Sequence, residues 1–394
     1  MNRHLIAIVS FTLIASTLAC SINVDTGLTP ATQLPAQPSV AAPPTQPPNN
    51  PTTQPPNNPT TQPPSNPTTQ PSATNDFKPC SGYNAVSPDG KPQTGMGPWA
   101  TRLMTALSSD GINFTRTNKV IADQADVPDI ITMPDGEVRI YFIIMCPEEV
   151  RNKIVAAVSR DNGSTWIYKK ITLNGIQNLQ PSQVDPTVEF TTDKKIRLYF
   201  TSGPRTANPG KPEVPRSYSA ISSDGYTFTL EDGVRFTVEG KEVLDPNVLL
   251  IGNTWHFFSG GIPGSNYHAT STDGLNFKRT DDLSTGNFLM ANGIKVDGGY
   301  RYYGFVQKPP APTYITALFS TDGVTWKPET WKFEVDTKNN LESVEVKDNS
   351  VTRLSNGQYL MVYATVIPGY PTHQPQKPPQ SGTGNPPPPQ TPRP

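Results

Sequence analysis

The chain has 394 residues, a formal net charge of −1 and 16% charged residues. Proteins that bind nucleic acid normally carry an excess of basic residues, so this charge balance argues against that class. Twenty-six of the 45 prolines lie in residues 21–75 and 368–394. Those two segments cannot bury enough apolar surface to offset the entropy of an ordered chain, so residues 76–367 are the part that we expect to fold.

Residues 1–19 have the layout of an export signal. A short basic start precedes an apolar run that ends at Leu18 and is too short for a comfortable membrane span. The segment ends in Leu-Ala-Cys20, which resembles the lipobox of bacterial lipoproteins, in which the cysteine is lipidated. Because the lipobox usually has Leu where this chain has Thr17, a plain signal peptide is the alternative. The resemblance implies an exported bacterial protein that a lipid on Cys20 anchors to the membrane.

Residues 20–75 are predicted to be a linker rich in proline, threonine, glutamine and asparagine. From Pro47 an eight-residue unit runs three times, as PPNNPTTQ, PPNNPTTQ and PPSNPTTQ. Proline favours extended polyproline II, in which roughly 50 residues at about 3.1 Å each span on the order of 150 Å. We expect this linker to hold the folded part clear of the membrane. The proline-rich tail, residues 368–394, is predicted to be disordered.

The three cysteines fit an exported protein. If Cys20 carries a lipid, Cys80 and Cys146 remain as a candidate disulfide in an oxidising compartment. Two buried free thiols are the alternative.

The folded part contains five copies of a short turn motif. Each has Asp and Gly after an alternating strand and an aromatic residue three places after the Gly. Such a turn is typical of β-hairpins, in which the Asp side chain accepts bonds from backbone amides and Gly takes a positive φ. The motif resembles the Asp-box of sialidases and related propellers, although only the copy at Asp161 has the full spacing of that family. The five aspartates are Asp110, Asp161, Asp224, Asp273 and Asp322.

A second pattern alternates with these turns and consists of a short apolar strand, a tight turn and an aromatic-rich strand. Both patterns together give units of four antiparallel strands, which are typical of propeller blades. The first Asp-box is not preceded by such a strand pair, and the last strand pair is not followed by an Asp-box. Residues 348–366 and about 100–117 therefore complete one blade together. We therefore predict an all-β, five-bladed β-propeller over 76–367, closed by both chain ends. A β-sandwich, the alternative, does not explain five equivalent turns.

Acidic residues recur where the predicted innermost strands begin, and these strand starts line one mouth of a propeller's central funnel. Carboxylates that converge from several blades suit glycoside cleavage, in which one protonates the leaving oxygen and another attacks or activates water. The alternative is that Asp185 and Asp245, each followed by Pro, cap their strands through backbone amides. The acidic residues are Asp126, Asp129, Asp185, Asp245, Glu345 and Asp348.

Loops after the second strand of each blade face the same mouth. They supply four candidate substrate-binding residues, Arg205, Arg216, Tyr267 and His268. The Asp-boxes point to the opposite face and are predicted to be structural. The repeated Arg139, Arg197 and Arg301 fit blade packing better than an anion site. These motifs imply no cofactor and no metal ion.

The strand patterns resemble the five-bladed propeller glycosidases of the arabinanase and xylosidase type, glycoside hydrolase family 43 and its relatives, over roughly 100–366. The resemblance implies an Asp base, an Asp that tunes the acid and a Glu acid, each from a different blade. The Asp-Pro at Asp185 and at Asp245 is similar to the acid-tuning position, and Asp129 to an Ala-Pro-Asp segment near the family's site. Where the family has its acidic Glu, this chain reads Met-Ala-Asn-Gly from Met290. Candidates to replace the missing acid are Glu189, Glu342 and Glu345.

We therefore expect an exported, membrane-anchored, monomeric propeller that handles a carbohydrate at its funnel. As a glycoside hydrolase it would use Asp129, Asp185, Asp245 and Glu345 as catalytic residues. The rival is a non-catalytic propeller that binds glycans or another surface partner, and the missing Glu favours it. Aromatic side chains in the funnel would stack on sugar rings in either case.

Replacing Cys20 tests the anchor. The variant Cys20→Ala cannot be lipidated, so we expect the protein to move from the membrane fraction to the soluble fraction. Cell fractionation and immunoblotting measure this distribution. An exported wild-type protein that is already soluble would contradict the lipoprotein interpretation.

Overall fold

The computed structural model describes residues 74–87, 90–93, 95–179, 183–203, 214–262, 264–308 and 311–371. The predicted export signal with Cys20, the linker up to residue 73, Arg205 and the tail beyond residue 371 lie outside these ranges. Within them, no helix is both long and apolar enough to cross a membrane.

The described residues form strands joined by short turns, with two 3-10 helices at Glu148–Val150 and Ile176–Asn178. The strands are β1 (Thr101–Ser108), β2 (Thr115–Asp123), β3 (Ala125–Thr132), β4 (Val138–Ile144), β5 (Lys153–Ser159), β6 (Ile167–Lys170), β7 (Thr172–Asn174), β8 (Gln183–Phe190), β9 (Ile196–Ser202), β10 (Arg216–Ser222), β11 (Thr227–Leu230), β12 (Leu244–Ile251), β13 (Thr254–Ile262), β14 (Gly264–Ser271), β15 (Lys278–Arg279), β16 (Leu283–Gly286), β17 (Phe288–Val296), β18 (Gly299–Lys308), β19 (Ala311–Ser320), β20 (Lys327–Pro328), β21 (Phe333–Glu334), β22 (Ser343–Arg353) and β23 (Tyr359–Val366).

These strands pair into five sheets, the blades of a five-bladed β-propeller, as predicted. From the axis outward, blade 1 is β22-β23-β1-β2 and blade 2 is β3-β4-β5-β6. Blade 3 is β8-β9-β10-β11, with β7 added in parallel at its edge. Blade 4 is β12-β13-β14 with β15 and β16 on β14, and blade 5 is β17-β18-β19 with β20 and β21 on β19.

Blade 1 closes the ring by joining the two ends of the folded chain. Strand β1 pairs with β23 in unbroken register, from Thr101 opposite Val366 to Ser108 opposite Tyr359. Every residue of β23 is buried. The predicted shared blade is confirmed, and its pairing covers two strand edges that would otherwise be exposed.

The middle strands read as continuous apolar runs because blades stack face to face and cover them on both sides. In β4, all seven residues are buried. Between blades 1 and 2 the core includes Leu103, Phe142 and Val362, each 0% exposed. The apolar cores therefore lie between the blades.

Each Asp-box turn is stabilised by a serine two residues before its Asp. In the first turn, Ser108 Oγ donates to Asp110 Oδ1 at 2.8 Å and accepts from the Gly111 amide at 2.9 Å. Asp110 also accepts from the amides of Ile112 and Asn113, at 2.9 and 2.8 Å. The Asn113 amide, with the other donors, holds the pKa of Asp110 well below its usual range. The corresponding serines are Ser108, Ser159, Ser222, Ser271 and Ser320.

The repeated arginines join one blade to the next. Arg139 Nη1 donates to the Asp224 carbonyl at 2.6 Å, and the Tyr141 hydroxyl donates to the Gly225 carbonyl at 2.9 Å. A Cβ at Gly225 would lie 2.2 Å from Arg139 Nη1, so this turn needs glycine for space as well as for its φ of 74°. Arg197 with Tyr199 and Arg301 with Tyr303 make the same bonds to the Asp-boxes of blades 4 and 1. The arginines are therefore structural.

An N-terminal arm packs across the joint between blades 1 and 2. Cys80 and Cys146 form a disulfide whose Cα atoms lie 5.6 Å apart. Phe77 is 5% exposed in the core between these blades, and the Gly82 amide donates to Asp123 Oδ2 at 2.5 Å. The disulfide thus ties the arm to the loop that follows β4.

Shortening the chain tests the shared blade. Ending it after Asn340 removes β22 and β23 and leaves β1 and the neighbouring blades uncovered, so we expect insoluble or protease-sensitive protein. Ending it after Pro371 removes only residues outside the described ranges and should change the melting temperature by less than about 2 °C. Thermal melting and limited proteolysis compare the two truncated chains. If the chain that ends after Asn340 were as stable as the one that ends after Pro371, the closure of the ring by blade 1 would be refuted.

Candidate functional site

Each innermost strand has a β-bulge near one end of the axis. The pairing register slips within Asp126–Asp129, Val184–Thr187, Leu244–Pro246, Met290–Asn292 and Lys347–Ser350. In four blades a non-glycine residue of the bulge has a positive φ, which aspartate tolerates better than most residues. These residues are Val127, Asp185, Asp245 and Asp348, with φ of 46°, 54°, 50° and 42°. Strained backbone of this kind is common at functional sites.

The bulges surround a funnel of about 220 Å³ that receives residues from all five blades. One part of its wall is acidic, with Asp185, Asp245 and Asp348, and another is apolar, with Leu289 and Phe305. Three of the residues predicted to be catalytic, Asp129, Asp185 and Asp245, line this funnel together with Asp348, which was also predicted at this mouth. The remaining predicted catalytic residue, Glu345, is not among its lining residues.

Asp185 and Asp245 hold equivalent positions in blades 3 and 4 but have different surroundings. Asp185 is 6% exposed, and its Oδ2 accepts a bond from the Asp245 amide at 3.3 Å. Asp245 is exposed to the funnel. Asp185 is thus buried and bonded to the backbone of the neighbouring blade, whereas the Asp245 carboxylate is exposed at the funnel.

Asp129 belongs to a ring of five polar side chains, one from each blade, which we call the axial ring: Asp129, Thr187, Asn247, Asn292 and Ser350. Each member bonds to the next blade. Asp129 accepts from the Val188 amide at 2.7 Å, and Thr187 donates to the Pro246 carbonyl at 2.5 Å.

The other three members complete the circle. Asn247 accepts from the Tyr302 hydroxyl at 2.6 Å, and Asn292 from the Val351 amide at 2.9 Å. Ser350 accepts from the Ile130 amide at 3.1 Å and donates to Asp129 Oδ1 at 2.6 Å. The bonds therefore return to blade 2, where they began.

Asp129 is 3% exposed at the floor of the funnel. Burial raises its pKa to about 6, against the effect of the bonds it accepts. Its contacts indicate that Asp129 holds the blades together at the axis and positions the residues above it.

Asp348 lies in a buried charge cluster at the funnel wall. Lys347 Nζ is 3.0 Å from both carboxylate oxygens of Asp126 and also contacts Asp348 Oδ2. The Asp348 side chain is 18% exposed. Burial raises the pKa of Asp348 to about 7; Lys347 opposes this rise and Asp126 adds to it. Burial likewise raises the pKa of Glu345, which is 8% exposed beside this cluster.

Three of the predicted substrate-binding residues, Arg216, Tyr267 and His268, are not among the residues that line the funnel, and Arg205 lies outside the described residues. Tyr267 is 6% exposed and packs on Phe236, with ring centroids 6.3 Å apart. His268 Nε2 lies 3.0 Å from His256 Nδ1, and burial lowers the pKa of His268 to about 4. Arg216 begins β10 and does not line the funnel.

The other two candidates for the missing acid, Glu342 and Glu189, also do not line the funnel. Glu342 is 1% exposed and bonded to Arg116 and the Tyr363 hydroxyl, at 2.5 and 2.6 Å. Glu189 lies two residues after Thr187 on β8, and burial raises its pKa well above the usual value. Among the described residues, no three His, Cys, Asp or Glu side chains are grouped so that they could hold a metal ion.

No protein-family model matches the sequence, and no curated protein matches it. The fold is similar to that of an α-L-arabinofuranosidase of glycoside hydrolase family 43 from Clostridium thermocellum (14% identity, 60% of this chain and 80% of that one, TM-score 0.45). It is also similar to a glycosyl hydrolase from Bacteroides ovatus (13%, 62% and 81%, TM-score 0.48). A third similar structure is a member of glycoside hydrolase family 130 (13%, 61% and 83%, TM-score 0.44). At these identities the likeness concerns the propeller fold and not an activity.

Substitutions of Asp129 and Asp245 test whether the buried aspartate stabilises the fold and the exposed one does not. Asp129→Ala leaves the Val188 amide and the Ser350 hydroxyl without their acceptor, so we expect a loss of about 2–4 kcal/mol in unfolding free energy. Asp245→Asn, at an exposed position, should change it by less than about 0.5 kcal/mol. Denaturant unfolding measures both. Equal stability of the two variants would exclude the role of Asp129 in the axial ring.

Proposed function

We propose that the funnel binds a single uncharged sugar unit of a glycan and hydrolyses its glycosidic bond. The observation that carries this proposal is that two carboxyl groups of one small cavity have different surroundings. The Asp348 side chain is half-buried beside Asp126 and Lys347, whereas Asp245 is exposed. Carboxyl groups in contrasting environments are what acid and base roles require.

In this proposal Asp348 is the acid. Its proton passes to the glycosidic oxygen as the bond from that oxygen to the anomeric carbon breaks. The Lys347 ammonium, which already contacts Asp348 Oδ2, stabilises the carboxylate that is left. Asp245 supplies the second carboxylate, which either attacks the anomeric carbon or takes a proton from the attacking water. The anomer released first, identified by NMR, distinguishes these two routes.

The charge and size of the funnel define the ligand. Three aspartates in its wall disfavour acidic sugars by like-charge repulsion. Its volume of about 220 Å³ is below the ~300 Å³ of pockets for drug-sized ligands, which suits one sugar ring. Of the described residues that line it, Phe305 is the aromatic one and offers an apolar face to such a ring.

The proposal includes a location. The export signal and the lipobox-like Cys20 support an exported protein that a lipid anchors to the bacterial membrane. The linker of residues 20–75 would then set the distance from the membrane at which the funnel meets its glycan.

A second candidate function is glycan binding without cleavage. It is favoured by blade 5, which brings Met290 and Ala291 to the funnel wall where blades 3, 4 and 1 each bring an aspartate. Under this alternative the three aspartates accept hydrogen bonds from sugar hydroxyls and no bond is broken.

Activity measurements on carboxylate variants test the proposal. The full chain would be assayed on aryl glycosides of neutral pentoses and hexoses and on arabinan and xylan. We expect Asp348→Asn and Asp245→Asn each to lower kcat/KM by about 10²- to 10⁴-fold. Asp297→Asn, at a side chain that is 85% exposed, is the matched control and should leave kcat/KM unchanged.

The pH profile checks the acid separately. Asp348 must be protonated to act, so kcat/KM should fall as the pH rises through about 7. Asp348→Asn should remove this fall. Turnover that persists in both aspartate variants would overturn the proposal, and sugar binding without turnover in the wild type would establish the second candidate.

A further inference from the structure

A second cavity, which we call the outer cleft, lies between blade 5 and strand β16 of blade 4 and has a volume of about 680 Å³. Its walls are Leu283–Phe288, β19 and the segment from Trp326 to Lys332. It shares no lining residue with the funnel. On β18, Phe305 faces the funnel and the next residue, Val306, faces the cleft, as consecutive strand residues do.

The cleft exists because the outermost strand of blade 5 is interrupted. Strands β20 and β21 both pair with β19, but residues 330–332 between them leave the ladder. The Thr316 hydroxyl donates to the Trp331 carbonyl at 2.7 Å and holds this segment in place. The blade therefore presents side-chain faces at its rim where a continuous edge strand would otherwise lie.

Three aromatic rings line the cleft and remain half-buried: Tyr314, Trp326 and Trp331. Trp326 is fixed by Tyr302, whose ring centroid is 5.3 Å away, and Trp331 by Phe114 at 6.0 Å. Ser284, Thr285 and Asn287 add neutral polar groups on the opposite wall. Fixed aromatic faces opposite hydroxyl and amide groups suit ligands that are apolar on one face and polar at the edges.

The two charged side chains in the wall each have an internal partner. Glu329 accepts from Arg301 Nη2 at 3.1 Å and from the Trp331 indole at 2.9 Å. Lys332 Nζ lies 4.3 Å from the centroid of the Tyr314 ring. A charged ligand would have to compete with these contacts, so the cleft favours a neutral one.

We propose that the outer cleft is a second carbohydrate-binding site, which holds a neutral glycan chain without cleaving it. The inference is independent of the proposed activity of the funnel. Among neutral ligands, the cleft distinguishes a glycan from a proline-rich peptide such as the repeats of this chain. The Trp331 N–H, one of the donors that a peptide carbonyl could use, is already bonded to Glu329. The Glu329 carboxylate accepts hydrogen bonds, and sugar hydroxyls supply them whereas proline has no N–H.

Affinity electrophoresis of the full chain tests the site. Native gels would contain arabinoxylan, linear arabinan, galactomannan or mixed-linkage β-glucan. We expect retardation of the wild type on at least one of these and affinity on the order of tenfold weaker for Tyr314→Ala and Trp331→Ala. Thr330→Arg, which places a long charged side chain in the cleft from an exposed position, should weaken it as well. Tyr83→Ala, at a tyrosine that is 39% exposed, is the matched control.

Two further measurements separate the alternatives. Thermal melting identifies any variant that fails to fold, and Thr330→Arg keeps the test decisive because it removes no buried contact. Asp245→Asn should keep the retardation, since the funnel is a different site. No retardation on any of the four polysaccharides would overturn the proposal, as would retardation that survives in all folded cleft variants. Quenching of tryptophan fluorescence by the peptide PPNNPTTQPPNNPTTQ, relieved in the cleft variants, would instead assign the cleft to the linker.

Discussion

The axial ring is the constraint on which the rest of the molecule depends. Five blades that meet at one axis leave polar backbone groups near the centre, and buried polar groups are costly unless they are bonded. Asp129, Thr187, Asn247, Asn292 and Ser350 meet this requirement by bonding each blade to the next. Two of its members, Asp129 and Thr187, also line the funnel, so the ring holds the bulged strand starts around that cavity in fixed positions.

The blade pattern was predictable because its signals are local. An Asp-Gly turn and an apolar strand are each specified by a few consecutive residues, and the repeat of both gave the number of blades and the shared first blade. In four of the five Asp-boxes the serine partner was missed. It lies two residues before the Asp, outside the Asp, Gly and aromatic positions by which the motif was identified.

The site was less predictable, because it depends on depth and on contacts between blades. Asp185 and Asp245 have the same local sequence, Asp-Pro, and only the fold separates a buried carboxylate from an exposed one. The pairing of Lys347 with Asp126 joins residues 221 positions apart, which no motif marks. Tyr267 was expected at the mouth, but the long hairpin of β13 and β14 places it in the packing of blade 4.

The N-terminal arm has a mechanical consequence. Blade 1 is closed only by hydrogen bonds and packing between β1 and β23, so tension applied along β1 would peel the ring open at this pairing. A pull on the chain before residue 74 meets the bonds of Asp76 to β6 and then Cys80 before it reaches β1, and the disulfide passes the load to Cys146 in blade 2. The force therefore enters the ring through a covalent bond to a blade whose strands are continuous in sequence. The pairing of β1 with β23 is therefore kept out of the line of a force that acts on the N-terminal arm.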